Sequence, residues 1–248
     1  MKYPKMILFD YGQTLVQENG FNEIAGYQAL FPYITHNPEH LTPEQIAQFS
    51  AKVYRDMMGV REIGYEIHEH NSLRLVLEYL GIRCSLSLQE AETVIWNAAV
   101  IGGVMPDTAR LLDFINSKRI RSAVISNIGW SGAALTERIN RFLPKNQFEF
   151  IVASSEVVIR KPNPMIFEVA LHKAELDARD VWFCGDNPQA DVEGAAGAGI
   201  FPVWYNNPMD CDYRDKYREH IPNCEFLQIE EWSELITILR EIECDDSI

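Results

Sequence analysis

Met6-Ile7-Leu8-Phe9-Asp10-Tyr11-Gly12-Gln13-Thr14-Leu15 is the stretch on which the fold turns. Four apolar residues in a row read as a short buried strand, and the Asp and Gly that follow read as the turn at its C-terminal end. The pattern returns far downstream, where Val181-Trp182-Phe183-Cys184-Gly185 leads into Asp186-Asn187-Pro188-Gln189-Ala190-Asp191. Two apolar strands, each ending in a carboxylate, bring both acids to the edge where an open parallel sheet forms its crevice. A divalent cation shared between them, with one carboxylate in attacking position, is the chemistry that such a pair suits. One Asp after a strand is ordinarily a cap or turn residue bonding its own backbone. Two of them, each near a Gly and accompanied by basic and hydroxyl residues elsewhere, point to a catalytic site.

Strand-like and helix-like segments alternate from about Gly102 onward, which predicts an α/β parallel sheet with helices on both faces. Residues 121–126 (RSAVIS), 148–152 (FEFIV), 181–184 and 200–204 (IFPVW) read as strands rich in Val, Ile and Phe. Residues 107–118 and 164–174 carry apolar side chains at three- and four-residue spacing, as amphipathic helices do. Asn163-Pro164 and Asn187-Pro188 each place a capping Asn before a Pro suited to the first helical position. Helix starts of this kind beside Lys161 and Asp186 would bring partial positive charge to an anionic ligand.

Residues 16–100 break the alternation. Helices are predicted after Thr42-Pro43-Glu44, around Ser72 to Leu80 and from Ser87 to Ala99, the last two opening on Ser caps. A helical insertion behind the first strand is the economical interpretation, giving a core of 1–15 and 101–248 with a lid able to exclude water.

With 248 residues, 47% of them hydrophobic and 23% charged, the chain is long enough for a full core. A net charge of −14 without any cluster of Lys and Arg argues against a nucleic-acid surface. The five cysteines form no CxxC pair, so neither a zinc knuckle nor a disulfide framework is expected. No signal peptide and no bilayer-length apolar run is apparent, and free thiols fit a cytoplasmic protein without a membrane partner.

The chain resembles the haloacid dehalogenase superfamily of aspartate-nucleophile phosphatases, in the branch with a helical cap after the first motif. Four ordered signatures carry the likeness: Asp10 to Thr14, Ser126-Asn127, Lys161-Pro162, and Gly185-Asp186 through Asp191. The resemblance implies a Rossmann-like core, magnesium, a small phosphorylated substrate and phosphate transfer through an aspartyl phosphate. Asp10 would then be the nucleophile. Mg2+ would be held by Asp10, the backbone carbonyl of Gly12 and Asp186, with Asp191 binding through water or orienting Lys161. Ser126 and the backbone of Asn127 would bind the phosphoryl oxygens, and Lys161 would neutralise them.

One position departs from that pattern. Most phosphatases of this family carry a second Asp two residues after the nucleophile, as the proton donor to the leaving group; here that residue is Gly12. The departure predicts an attenuated enzyme, a substitute donor such as Tyr11, Glu18 or a cap group, or a leaving group that needs little help. Two rival functions stand beside this reading: a binding protein without turnover, for which Gly12 is the strongest evidence, and a metal-independent 2-haloacid dehalogenase, against which the Asp186, Asp191 and Lys161 set argues. His68, Glu69 and His70 read as a solvated polar surface, Trp96, Trp182 and Trp204 as core, and the acids from Glu230 to Asp246 as a solvated helix and tail.

Overall fold

The computed structural model describes residues 1–209, 211, 217 and 219–245. The chain begins with β1 (Met6–Phe9) and β2 (Val16–Glu18), then enters a helical segment: α1 (Glu23–Leu30), β3 (Ile34–His36), α2 (Pro43–Glu62), α3 (Glu69–Tyr79), β4 (Arg83–Cys84) and α4 (Leu88–Ala99). It returns through β5 (Gly102–Val104) to α5 (Thr108–Ser117), β6 (Arg121–Ser126), α6 (Gly132–Phe142), β7 (Ile151–Ala153), α7 (Ser154–Val157) and α8 (Pro164–Ala174). β8 (Val181–Gly185), a π-helical turn at Pro188–Glu193, α9 (Gly194–Gly197), β9 (Phe201–Tyr205), β10 (Leu227–Ile229) and α10 (Trp232–Asp245) complete the chain.

Six strands form a parallel sheet in the order β10-β9-β8-β1-β6-β7. The chain winds outward from β1 to one edge and then to the other, so the switch point falls between β1 and β8, where a doubly wound sheet opens its crevice. The fold is α/β and Rossmann-like. Side chains alternate across the sheet as strand geometry requires. Ile7 and Phe9 join the cluster built with α5, α6 and α10, while Met6 and Leu8 join Ile166, Phe167 and Ala170 of α8 on the opposite face.

A third apolar cluster is built mainly by α1 to α4, from Tyr27, Leu30, Ile46, Val53, Leu73, Val76 and Ile95 among others, with Trp130 of the core packed against it. The segment is joined to the sheet by an antiparallel ribbon, β2 on β5, with Val16 opposite Val104. Thr42 and Ser87 close capping boxes with Gln45 and Glu90, so the starts of α2 and α4 fall where those residues predict them.

Four expectations are corrected. The start of α3 is set by His68, whose ring accepts from the His70 N–H, and Ser72 lies inside the helix with its hydroxyl near Met57 Sδ. The strand expected over 148–152 is Ile151–Ala153: Glu149 and Phe150 still exchange hydrogen bonds with Ser122 and Val124, but the paired register begins only at Ile151. Asn187-Pro188 opens a six-residue π-helical turn, not an α-helix. α10 is no merely solvated helix, since Trp232, Leu235, Ile236 and Leu239 are buried against the sheet while Glu241 is exposed and Glu243 pairs with Lys118 at 2.5 Å. Asp246 and the side chain of Asp245 lie outside the described residues.

Candidate active site

β1 ends at Phe9, and Asp10 emerges at the C-terminal edge of the sheet, its N–H still bonded to the Cys184 carbonyl of β8 at 2.9 Å. One strand over, β8 ends at Gly185 and delivers Asp186. Asp191 returns to the same place from the π-helical turn, held by the Asn187 N–H at 2.9 Å. Oxygens of Asp10, Asp186 and Asp191 all lie within 4.8 Å of one another, and all three residues are buried. The close approach of Asp191 depends on Gly185, because a Cβ there would sit 2.4 Å from the Asp191 carboxylate.

Lys161 joins this cluster from the segment before α8. Its Nζ lies 2.6 Å from Asp10 Oδ1 and 2.7 Å from Asp191 Oδ1, and donates to the Ile125 carbonyl at 3.0 Å. The ammonium also sits over the Phe183 ring, 4.9 Å from its centroid. Burial by itself favours neutral Lys161, but the two carboxylates outweigh it and raise its pKa. Asp10 is pushed up to about 7, chiefly by burial and further by Asp191 and Asp186, with Lys161 opposing. One buried ammonium thus bridges two of the three clustered carboxylates, Asp10 and Asp191.

Ser126 ends β6 and is buried at the same edge. Asn127 follows, and its side chain clamps the Lys161 backbone: Nδ2 donates to the Lys161 carbonyl at 2.9 Å and Oδ1 accepts from the Lys161 N–H at 2.8 Å. The Asn127 amide therefore positions the lysine backbone. Three further residues support Asp186 and escaped the sequence reading. Thr14 Oγ1 lies 3.5 Å from Asp186 Oδ1, Tyr217 donates to Asp186 Oδ2 at 3.1 Å, and Trp204 Nε1 donates to the Asp186 carbonyl at 3.0 Å. Thr14 belongs to the first motif, whereas nothing in the sequence around Tyr217 signals this contact. Trp204, like Trp96 and Trp182, is buried as expected of core.

At Gly12 an added Cβ would meet nothing within 4 Å. Neither neighbour proposed as a substitute donor is available. Tyr11 is 1% exposed, its hydroxyl donating to Glu18 Oε1 at 2.8 Å, and Glu18 pairs with buried Arg138. Burial and the Glu18 charge drive the Tyr11 pKa far up. Gln13 takes a left-handed backbone at φ 58°, with its amide bonded to the Glu18 carbonyl at 2.5 Å. That bond offsets part of the roughly 1–2 kcal/mol that such a conformation costs a residue with a Cβ.

The His68 to His70 stretch is not the solvated surface expected. It packs against the loop that follows Ser126: the Glu69 N–H donates to Gly129 O at 2.7 Å, and His70 Nε2 lies 2.7 Å from Glu92 Oε1. Glu92, fully buried, also accepts from the Ser131 N–H at 3.0 Å and from its hydroxyl. Glu66 accepts from Arg61 at 2.7 Å, from Ser154 at 2.9 Å and from Arg160, the residue before Lys161. Part of Glu69 reaches solvent, yet its carboxyl is pushed up to about 8, first by burial and then by Glu92. Charged side chains thus tie the helical segment to the two core segments that carry Ser126 and Lys161.

A doubly wound sheet with a carboxylate and lysine cluster at its switch point, and a helical segment seated over the neighbouring loops, defines the class of protein. Residues 7–205 match the family model for haloacid dehalogenase-like hydrolases, and the chain belongs to that family. Pyrimidine 5'-nucleotidase YjjG of Escherichia coli is 27% identical over 208 residues, covering 81% of this chain and 85% of that one. A glyceraldehyde 3-phosphate phosphatase of Methanopyrus kandleri is 24% identical over 246 residues, covering 97% and 99%. The fold is similar to that of a 2-haloacid dehalogenase from Pseudomonas syringae pv. Tomato, with a TM-score of 0.58 at 21% identity and coverage of 96% and 99%.

Proposed function

We propose that the protein is a magnesium-dependent phosphatase of small phosphorylated metabolites, working through an aspartyl phosphate on Asp10 and attenuated by Gly12. The observation that carries this reading is the buried cluster in which Lys161 Nζ bridges Asp10 and Asp191 at 2.6 and 2.7 Å beside Asp186. Three carboxylates within 4.8 Å form an all-oxygen donor set, which fits a hard divalent cation. Asp10, Asp186, Asp191 and the Gly12 carbonyl would hold Mg2+, which when bound neutralises charge between nucleophile and phosphate. Two relatives named for cleaving phosphate from small molecules support the substrate class.

In this reading an Asp10 carboxylate oxygen attacks phosphorus while the bond to the leaving oxygen breaks and its electron pair departs with it. Lys161, the Ser126 hydroxyl and the Asn127 backbone N–H neutralise the phosphoryl oxygens. Water then attacks the aspartyl phosphate, releasing inorganic phosphate and regenerating Asp10. Residues 16–100 act as the cap over a core of 1–15 and 101–248, seated through Glu66, Glu69 and Glu92. The free state of all five cysteines supports a reducing cytoplasmic setting.

With Gly12 in place of an acid and Tyr11 and Glu18 tied to Arg138, proton donation to the leaving group is weak. General acid help is typically worth about a hundred- to ten-thousandfold, so acyl and aryl phosphates, whose leaving groups need little of it, are the favoured substrates. The same glycine favours a second reading, a phosphate- or Mg2+-binding protein without turnover. Phosphate release from acetyl phosphate, with and without Mg2+, separates them. Mg2+-dependent release by the native protein supports the phosphatase, and stabilisation by ligand without release supports the binding protein.

A further inference from the structure

Arg138 lies on α6 of the core and is 2% exposed. Its guanidinium reaches each segment that joins the helical insert to the sheet. Nε pairs with Glu18 at the end of β2 and lies 3.2 Å from the Tyr11 hydroxyl, next to Asp10 in sequence. Nη1 donates to Asn97 Oδ1 at 2.9 Å and Nη2 to the Val100 carbonyl at 2.9 Å, both at the end of α4 where the chain returns. The guanidinium also covers Trp96, its Cζ 4.6 Å from the ring centroid, and Trp96 stacks on Trp130 of the loop after Ser126 with centroids 5.1 Å apart.

The return strand is shaped to this cation. A Cβ on Gly102 would stand 2.8 Å from Phe142 Cζ and 3.2 Å from Arg138 Nη2, so a side chain there would crowd both the ring and the guanidinium. A buried guanidinium is costly unless its N–H groups are met. Here the partners come from three separate segments, and the cation is satisfied only when the outgoing crossing, the returning crossing and Tyr11 are all in place. Its planar fork of donors does this in one group, which a lysine ammonium cannot reproduce.

We propose that Arg138 is a positioning residue that couples the seat of the helical insert to the orientation of Asp10 through Tyr11. The proposal rests on the reading of Asp10 as the nucleophile, since the orientation it sets matters only to an attacking group. Loosening the clamp lets the loop after β1 and both crossings move together. A displacement of about 1 Å at a reacting group costs on the order of a hundredfold in rate.

Two readouts test this on the full chain. Amide hydrogen exchange in Arg138→Lys is expected to accelerate over residues 10–20 and 97–104 together, with β8 unchanged. On acetyl phosphate the same variant is expected to lose kcat by about tenfold or more with little change in KM. Tyr11→Phe should lose part of that rate, and the double variant should be no slower than Arg138→Lys, as for two residues acting in one chain of contact. Gly102→Ala, which crowds Phe142 and the guanidinium, should accelerate exchange at residues 10–20, remote from the substitution, if Arg138→Lys fails to fold. Native exchange at the crossings, accelerated exchange with native kcat, or losses that multiply in the double variant would overturn the proposal. Should the native protein prove inactive, the phosphatase reading fails by itself, and exchange still decides: joint acceleration of residues 10–20 and 97–104 supports the clamp and acceleration confined to α6 refutes it.

Discussion

The carboxylate of Asp191 occupies the space that a side chain on residue 185 would need: a Cβ on Gly185 would lie 2.4 Å from Asp191 Oδ2 and 2.5 Å from Asp191 Cβ. Gly185→Ala must therefore displace Asp191 from Lys161 and from the other two carboxylates, while β8 keeps its pairing with β1 and β9. The expected outcome is a fall of tenfold or more in apparent Mg2+ affinity, about the loss seen when metal ligands lose their support. A titration of phosphate release against Mg2+ reads this directly, and an unshifted midpoint would show that Asp191 does not serve the cation.

Gly12 has the opposite surroundings, with nothing within 4 Å of an added Cβ. Gly12→Asp is accordingly expected to fold and to raise turnover on alkyl phosphates by about a hundredfold or more, with a much smaller gain on acetyl phosphate. The ratio of the two gains is the informative quantity. Equal effects on both substrates, or a fall on both in a folded variant, would remove the missing proton donor as the cause of attenuation.

Glu69 offers a prediction in pH. Its folded carboxyl is pushed up to about 8 from an ordinary 4.5, by burial and then by Glu92. Between those values the unfolded chain has released the proton that the folded chain keeps, so stability falls as pH rises across the window. Glu69→Gln is expected to match the native protein near about pH 4 and to melt higher above about pH 8. Parallel melting curves for the two proteins across that range would place the Glu69 carboxyl in water.

The central elements were legible because local pattern and global fold agree in them. Met6 to Phe9 and Val181 to Gly185 are apolar throughout because a parallel strand is buried on both faces. Thr42 and Ser87 announce their helices because a cap is a local hydrogen bond. The clustering of Asp10, Lys161 and Asp191 was accessible only through the order of four motifs, since contacts across 151 residues leave no trace in spacing. Long-range polar contacts account for what was missed. Tyr217 on Asp186 joins two distant parts of the core, while Arg138 on both crossings and Glu66, Glu69 and Glu92 on the core loops depend on how the insert and the sheet are seated together. The His68 to His70 stretch was misjudged for the same reason: polar residues at the edge of a helix look solvated until a second surface covers them.

The most direct test of the account is whether Asp10 becomes phosphorylated. Native protein and folded Asp10→Asn would be mixed with acetyl phosphate and Mg2+, quenched in acid, and the peptide containing residue 10 examined by mass spectrometry for a phosphoryl group. The account predicts an adduct on Asp10 in the native protein, and neither adduct nor Mg2+-dependent phosphate release in Asp10→Asn. Phosphate release that persists in Asp10→Asn, or native turnover under the same quench without any adduct on Asp10, would contradict it.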